Sequence, residues 1–171
     1  LPIMERHAVC ATFFIPACYF ESSEMLWVDK ILLWLSHVPS GTYQIVSELI
    51  TIDNGASREK AFETVWAGLV SDYSTKQQIL EDMEEAFCFS SLEIEEAFFK
   101  QRFEPLNRQD IDHLIKTGNQ VACHSYGHEI LSKLSDFDLD LEFKKCADYK
   151  SLYNSDWYGY PFGRPDEVSD R

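Results

Sequence analysis

Basic residues are scarce in this 171-residue chain: Lys and Arg number 15 against 29 Asp and Glu, a formal charge of −14. Phosphate backbones are bound by clustered Lys and Arg, so the composition argues against a nucleic-acid partner and fits a neutral or cationic substrate, or simply a soluble surface, better. No run of about 18 apolar residues occurs, so no membrane-spanning helix is expected. The five cysteines (Cys10, Cys18, Cys88, Cys123 and Cys146) are scattered and include no C-x-x-C pair. A disulfide framework is therefore not expected, and a cysteine zinc site still less. Internal repeats and low-complexity tracts are missing, as are an initiator Met and a signal-peptide pattern. A chain that opens in mid-pattern at Leu1 starts as a processed product or a fragment would, and its compartment is left open.

What is present describes one globular domain, 45% apolar and 14% aromatic. Residues 8–17 (AVCATFFIPA) read as a buried strand ended by Pro16. Ser22 or Ser23 is expected to cap a helix carrying Leu26, Ile31, Leu32, Leu33 and Leu35, which stops at Pro39-Ser40-Gly41. Trp27 and Trp34 share a face of that helix, where core packing is a better reading than stacking on sugar rings. Residues 42–52 are β-rich, and Asp53-Asn54-Gly55 is a turn signal. Helices follow at about 57–71, 74–87 and 92–103, and Glu81, Asp82, Glu84 and Glu85 form a solvated acidic face. In the last third Asn107 caps a helix to Lys116, Gly118 ends it, and Gln120 to Cys123 is a strand. Ser135 or Asp136 caps a helix carrying Leu139, Leu141, Phe143 and Cys146, and a last strand runs near Trp157 to Tyr160. Alternating strands and helices with no hairpin signal predict an α/β fold with parallel strands.

The short strand before residue 124 runs straight into His124-Ser125-Tyr126-Gly127-His128. Two imidazoles four residues apart at a strand end can close on one metal ion. An isolated H-x-x-x-H is commonly a helix-surface pair, so the context carries the reading. His7, His37 and His113 lack that context and read as ordinary surface or boundary residues.

Four stretches, in order, resemble the polysaccharide deacetylase family (carbohydrate esterase family four, the NodB-homology fold), and together they cover most of the chain. They are Leu1-Pro2-Ile3-Met4-Glu5 with Ala11-Thr12-Phe13-Phe14-Ile15, and Leu106 to Gly118 followed by the His124 to His128 motif. Leu131-Ser132-Lys133-Leu134-Ser135 and Tyr160-Pro161-Phe162-Gly163 complete the set. The resemblance implies a distorted (β/α) barrel, here partial, with a helical insertion at about 57–103 that would shape substrate choice or a partner surface. It implies removal of N-acetyl groups from a polysaccharide or oligosaccharide by metal-activated water, with N-acetylated glycan as partner. His124 and His128 would hold a divalent ion, most naturally zinc, and Ser125 would steady that loop from outside the metal. Tyr160, Pro161, Phe162 and Gly163 would line the substrate groove, and the Phe162 backbone N–H would serve the developing oxyanion. Action on envelope glycans would in turn imply export.

The family's acidic pair, which supplies the base and a third metal ligand, is expected before Leu1, and its acid His after Arg171. Glu129 stands where Pro or Ser is common, and Tyr158-Gly159-Tyr160 where many relatives carry an Arg. The chain alone is therefore expected to be inactive, and the uncovered edges of an interrupted barrel predict self-association. Two alternatives remain: a non-catalytic glycan-binding module that kept the fold, or an unrelated α/β domain with a structural His pair.

Overall fold

Residues 2–87 and 94–163 are described in this computed structural model. They form two compact units, 1–24 with 105–171, and 25–104. The fold is mixed α/β, with two two-stranded sheets and no closed barrel among the described residues.

The first unit carries α1 (Pro2–Arg6), β1 (Thr12–Ile15) and a 3-10 turn over Ala17–Phe20. Strand β1 is shorter than the 8–17 stretch expected. The Val9 N–H still bonds back to the Met4 carbonyl and Ala8 sits at φ 52°, so the chain leaves α1 by a turn before it can extend. The structure numbers its remaining elements through both units: α2 (Trp27–His37), β2 (Gly41–Ile45), β3 (Glu48–Ile52), α3 (Gly55–Ser71), α4 (Lys76–Phe87) and α5 (Glu96–Arg102) belong to the second. The first unit resumes with α6 (Arg108–Lys116), β4 (Gln120–Cys123) and α7 (Asp136–Asp148).

Local chemistry fixes α6 at both ends. The Asn107 side chain accepts from the N–H groups of Gln109 and Asp110, and the Asp110 carboxylate accepts from the Asn107 N–H, a reciprocal capping box. Gly118 at φ 85° closes the other end, with the Asn119 N–H returning to the Leu114 carbonyl. The chain then enters β4, which pairs parallel with β1 from Thr12↔Gln120 to Ile15↔Cys123. Tyr158 makes a single parallel bridge to Cys123 on the far side of β4, so the predicted final strand is reduced to that bridge. Ile15, Val121 and Ala122 from the strands and Ile111 and Leu114 from α6 are buried in this core.

Ser135 caps α7 by accepting the Asp138 N–H. Its buried face is Leu139, Glu142 and Cys146, whereas Leu141 and Phe143 are about two-fifths exposed. Helical periodicity puts 139, 142 and 146 on one stripe, so a carboxylate occupies a core position.

In the second unit the stretch 41–52 is an antiparallel hairpin, Gly41↔Ile52 to Ile45↔Glu48, and not part of a parallel layout. Its two-residue turn hides from the sequence because Val46, a β-branched residue, takes φ 51° where Asn or Gly is customary. Asn54 is the N-cap of α3 and shares a capping box with Ser57, so the Asp53-Asn54-Gly55 signal marks a helix start. Neither Ser22 nor Ser23 caps α2; Leu26 stands at that position and the Ser22 hydroxyl accepts from the Glu24 N–H. Trp27 and Trp34 are buried as core residues, with Trp27 stacked on Trp66 at 6.0 Å. The Arg58 guanidinium donates to the Leu35 and Val38 carbonyls, covering the C-terminal end of α2. Glu81, Glu84 and Glu85 are exposed, as a solvated face requires, whereas Asp82 is half-buried and accepts the Val46 N–H at 2.6 Å. The helical stretch expected at about 57–103 lies within this unit; Cys88 and the helix start expected at Leu92 lie outside the described residues.

Candidate metal centre

The His motif begins one residue beyond β4, at the carboxyl ends of two parallel strands, the edge at which α/β sheets place ligands. Backbone bonds tie it down: His124 N–H to the Ile15 carbonyl at 3.2 Å, and the N–H groups of Ala17 and Cys18 to the carbonyls of Ser125 and Tyr126 at 2.9 and 3.1 Å. Ser125 and His128 both take left-handed backbone, at φ 60° and 58°, and so does Phe162 at 62°. Non-glycine residues pay strain there, and such residues cluster at functional sites.

The His124 Nδ1–H donates to the Gly159 carbonyl at 2.8 Å. A neutral imidazole holding its proton on Nδ1 carries its lone pair on Nε2, the form that ligates a metal. Burial pushes the His124 pKa down, partly opposed by that carbonyl. Burial, reinforced by His124, pushes His128 down to about 4. Both rings are thus neutral near pH 7, as ligands must be. Their centroids are 4.8 Å apart. Two imidazoles on one tetrahedral ion, with Zn–N bonds of about 2.0–2.1 Å, would have centroids about 5 Å apart. The donor pair fits a divalent ion of the zinc type. A group of three or more His, Cys, Asp or Glu able to hold a metal is absent among the described residues.

Ser125 is fully buried, and its hydroxyl accepts the His128 N–H at 2.9 Å. Glu142 reaches the motif from behind, Oε1 accepting from the N–H groups of Tyr126 at 2.8 Å and Gly127 at 2.7 Å. Burial raises its pKa, while those N–H donors and Ser125 act to lower it. Nothing in the residue pattern marks this role, because an acidic residue on a helix reads as solvated. The Tyr126 hydroxyl, in turn, donates to Glu21, which also accepts from Tyr149.

The Tyr160 to Gly163 turn arrives beside the histidines. Phe162 stands edge-on to His128 at 4.9 Å, Pro161 is buried, and Tyr160, 45% exposed, packs edge-on against Tyr158. Gly163 is exposed at the end of the turn. His7 and His113 are exposed and His37 half-buried on α2, away from this motif in the sequence, with His113 near Glu5 at 3.5 Å.

Gly159 is a second residue that sequence reasoning passed over. A Cβ there would lie 2.6 Å from Phe14 Cδ1 and 3.2 Å from His124 Nδ1. Gly159→Ala is expected to displace both rings, costing about 1–3 kcal/mol in a urea titration, as overpacking does. An unchanged midpoint would mean that Phe14 yields freely.

Comparison of the chain with protein-family models, with curated proteins and with solved structures gives no match.

Proposed function

We propose that this chain carries the metal-holding part of a metal-dependent amidase acting on N-acetylated glycans, a polysaccharide deacetylase on a partial NodB-type barrel. Four ordered motif resemblances support the reaction class. The observation that carries the metal is the His124–His128 pair: two neutral, half-buried imidazoles 4.8 Å apart, one with its tautomer set by Gly159. The parallel β1–β4 pair with the Tyr158 bridge supports the barrel reading, since such strands open every β/α unit.

In this reading His124 and His128 hold the ion, which when bound supplies an activated water and a polarised acyl carbonyl. Ser125 and Glu142 keep the His128 backbone in its left-handed conformation. The Phe162 N–H is the donor for the developing oxyanion, and Tyr160, Pro161, Phe162 and Gly163 form a groove wall. Because no third ligating group joins the pair among the described residues, zinc uptake without acetate release is the expected behaviour of this chain.

Equilibrium dialysis against zinc tests the proposal. The wild-type chain should take up the metal, and His124→Ala and His128→Ala should each weaken uptake beyond the about 10–100-fold that loss of an outer partner costs. Equal uptake by the variants would sink the site. The missing third ligand favours a second reading, a glycan-binding module without chemistry. It predicts retention of N-acetylated oligosaccharides that is indifferent to chelator.

A further inference from the structure

The second unit holds a cavity of about 270 Å³ where the β2–β3 hairpin meets α3 and α4, near the lower end of the range of ligand pockets. Its apolar lining is Ile45, Ile50, Val65 and Ile79, all buried. One face of α3 supplies the long wall: Thr64, Val65, Gly68, Ser71 and then Asp72 recur at helical spacing, which turns Gly68 towards the cavity. A Cβ at Gly68 would meet no atom within 4 Å, so a glycine that is costly inside a helix keeps this space clear. The hairpin wall is held in place by Asp82 of α4, which accepts the Val46 N–H at 2.6 Å.

The lining also carries charge of one sign. Asp72, directly after α3, accepts from the Ser74 N–H at 3.1 Å and the Ser74 hydroxyl at 2.6 Å through Oδ1, and its Oδ2 has no partner among the described residues. Glu48, the first residue of β3, is exposed, and its carboxylate makes no hydrogen bond or ion pair among them. The C-terminal end of α3 adds the negative end of its dipole. Among the described residues that line the cavity, none is Lys or Arg. An anion would meet carboxylates without a counter-charge, and a bare metal ion would be set against aliphatic side chains, so neither suits the lining. We infer that the cavity binds a small organic cation, a primary ammonium on a short apolar chain. The chain fills the space beside Gly68, against Val65 and the three isoleucines, and the ammonium donates to the Asp72 and Glu48 carboxylates.

A ligand-observed NMR titration of the whole chelator-treated chain with n-hexylammonium tests this. It is run at neutral pH in about 0.15 M salt, which screens diffuse attraction to a chain of charge −14. The expected result is saturable binding, with hexanol held about tenfold more weakly for want of a charge-assisted hydrogen bond, and hexanoate not held. Gly68→Leu fills the cavity and favours the helix, so binding should vanish while the melting temperature does not fall. Glu48→Gln should weaken hexylammonium towards the hexanol value. Hexanol or hexanoate bound as tightly as hexylammonium, full binding by a folded Gly68→Leu chain, or no binding by the wild type would each overturn the proposal. His124→Ala should bind the amine unchanged, so the result stands apart from the fate of the zinc reading.

Discussion

Glu142→Ala should cost about 2–4 kcal/mol of stability, whereas Glu142→Gln should cost little at neutral pH. Both loop N–H groups, of Tyr126 and Gly127, bond to the same carboxylate oxygen at 2.8 and 2.7 Å. A hydrogen bond to a charged acceptor contributes about 1.5–3 kcal/mol, and buried donors left unpaired carry their full desolvation penalty. Alanine removes the acceptor and opens a cavity, so both losses apply. Glutamine keeps an oxygen at Oε1 and carries no charge to desolvate. The sign of the pH dependence follows from burial, which raises the folded pKa above the ordinary 4.5. A raised carboxyl contributes most below 4.5, and its contribution is lost as pH rises through the folded value. Relative to Glu142→Gln, the wild type should therefore weaken from acid towards neutral pH. Urea titrations of the three proteins at acid and neutral pH measure this directly. An alanine variant as stable as the wild type would mean that water replaces the carboxylate.

His128→Asn should remove the second large effect, a loss of stability on acidification. Asn is the replacement of choice because it tolerates the left-handed backbone at φ 58°. His128 is depressed from 6.5 to about 4, chiefly by burial. The unfolded chain takes up a proton that the folded chain refuses. The contribution is therefore complete above 6.5 and is lost as pH falls towards about 4. At about 1.4 kcal/mol per pKa unit, the full swing is about 3 kcal/mol. His124 shifts in the same direction and Glu142 in the opposite one, so the difference between wild type and variant is the quantity to follow. In chelator-treated protein that difference should shrink from pH 7 to pH 4.5. Parallel curves would show a His128 ring open to solvent.

The elements written in local chemistry were legible in the sequence. Asn107, Gly118 and Ser135 act on backbone groups within a few residues, so the ends of α6 and the starts of β4 and α7 could be read from them. The His pair was legible for the same reason, as a spacing directly after an apolar strand. What the sequence hid depends on partners far along the chain. Glu142 is buried because residues 126 and 127 offer N–H groups, and Gly159 matters because Phe14 and His124 fill the space a Cβ would need. The hairpin was hidden by Val46, whose positive φ no composition rule anticipates. The 8–17 strand was overextended because a run of apolar residues does not show the turn that ends α1.

The centre of this reading is that two imidazoles, made neutral by burial and one oriented by a backbone carbonyl, hold a divalent ion. Zinc K-edge absorption of the chain loaded with one equivalent of zinc tests it most directly. Two imidazoles bound through nitrogen at about 2.0–2.1 Å, recognised by scattering from their outer ring atoms, with oxygens completing the shell, are the predicted result, and His124→Ala should lose one ring's share of that signal. A spectrum with oxygen ligands alone, unchanged in His124→Ala, would contradict it and leave the His pair a structural feature of the loop.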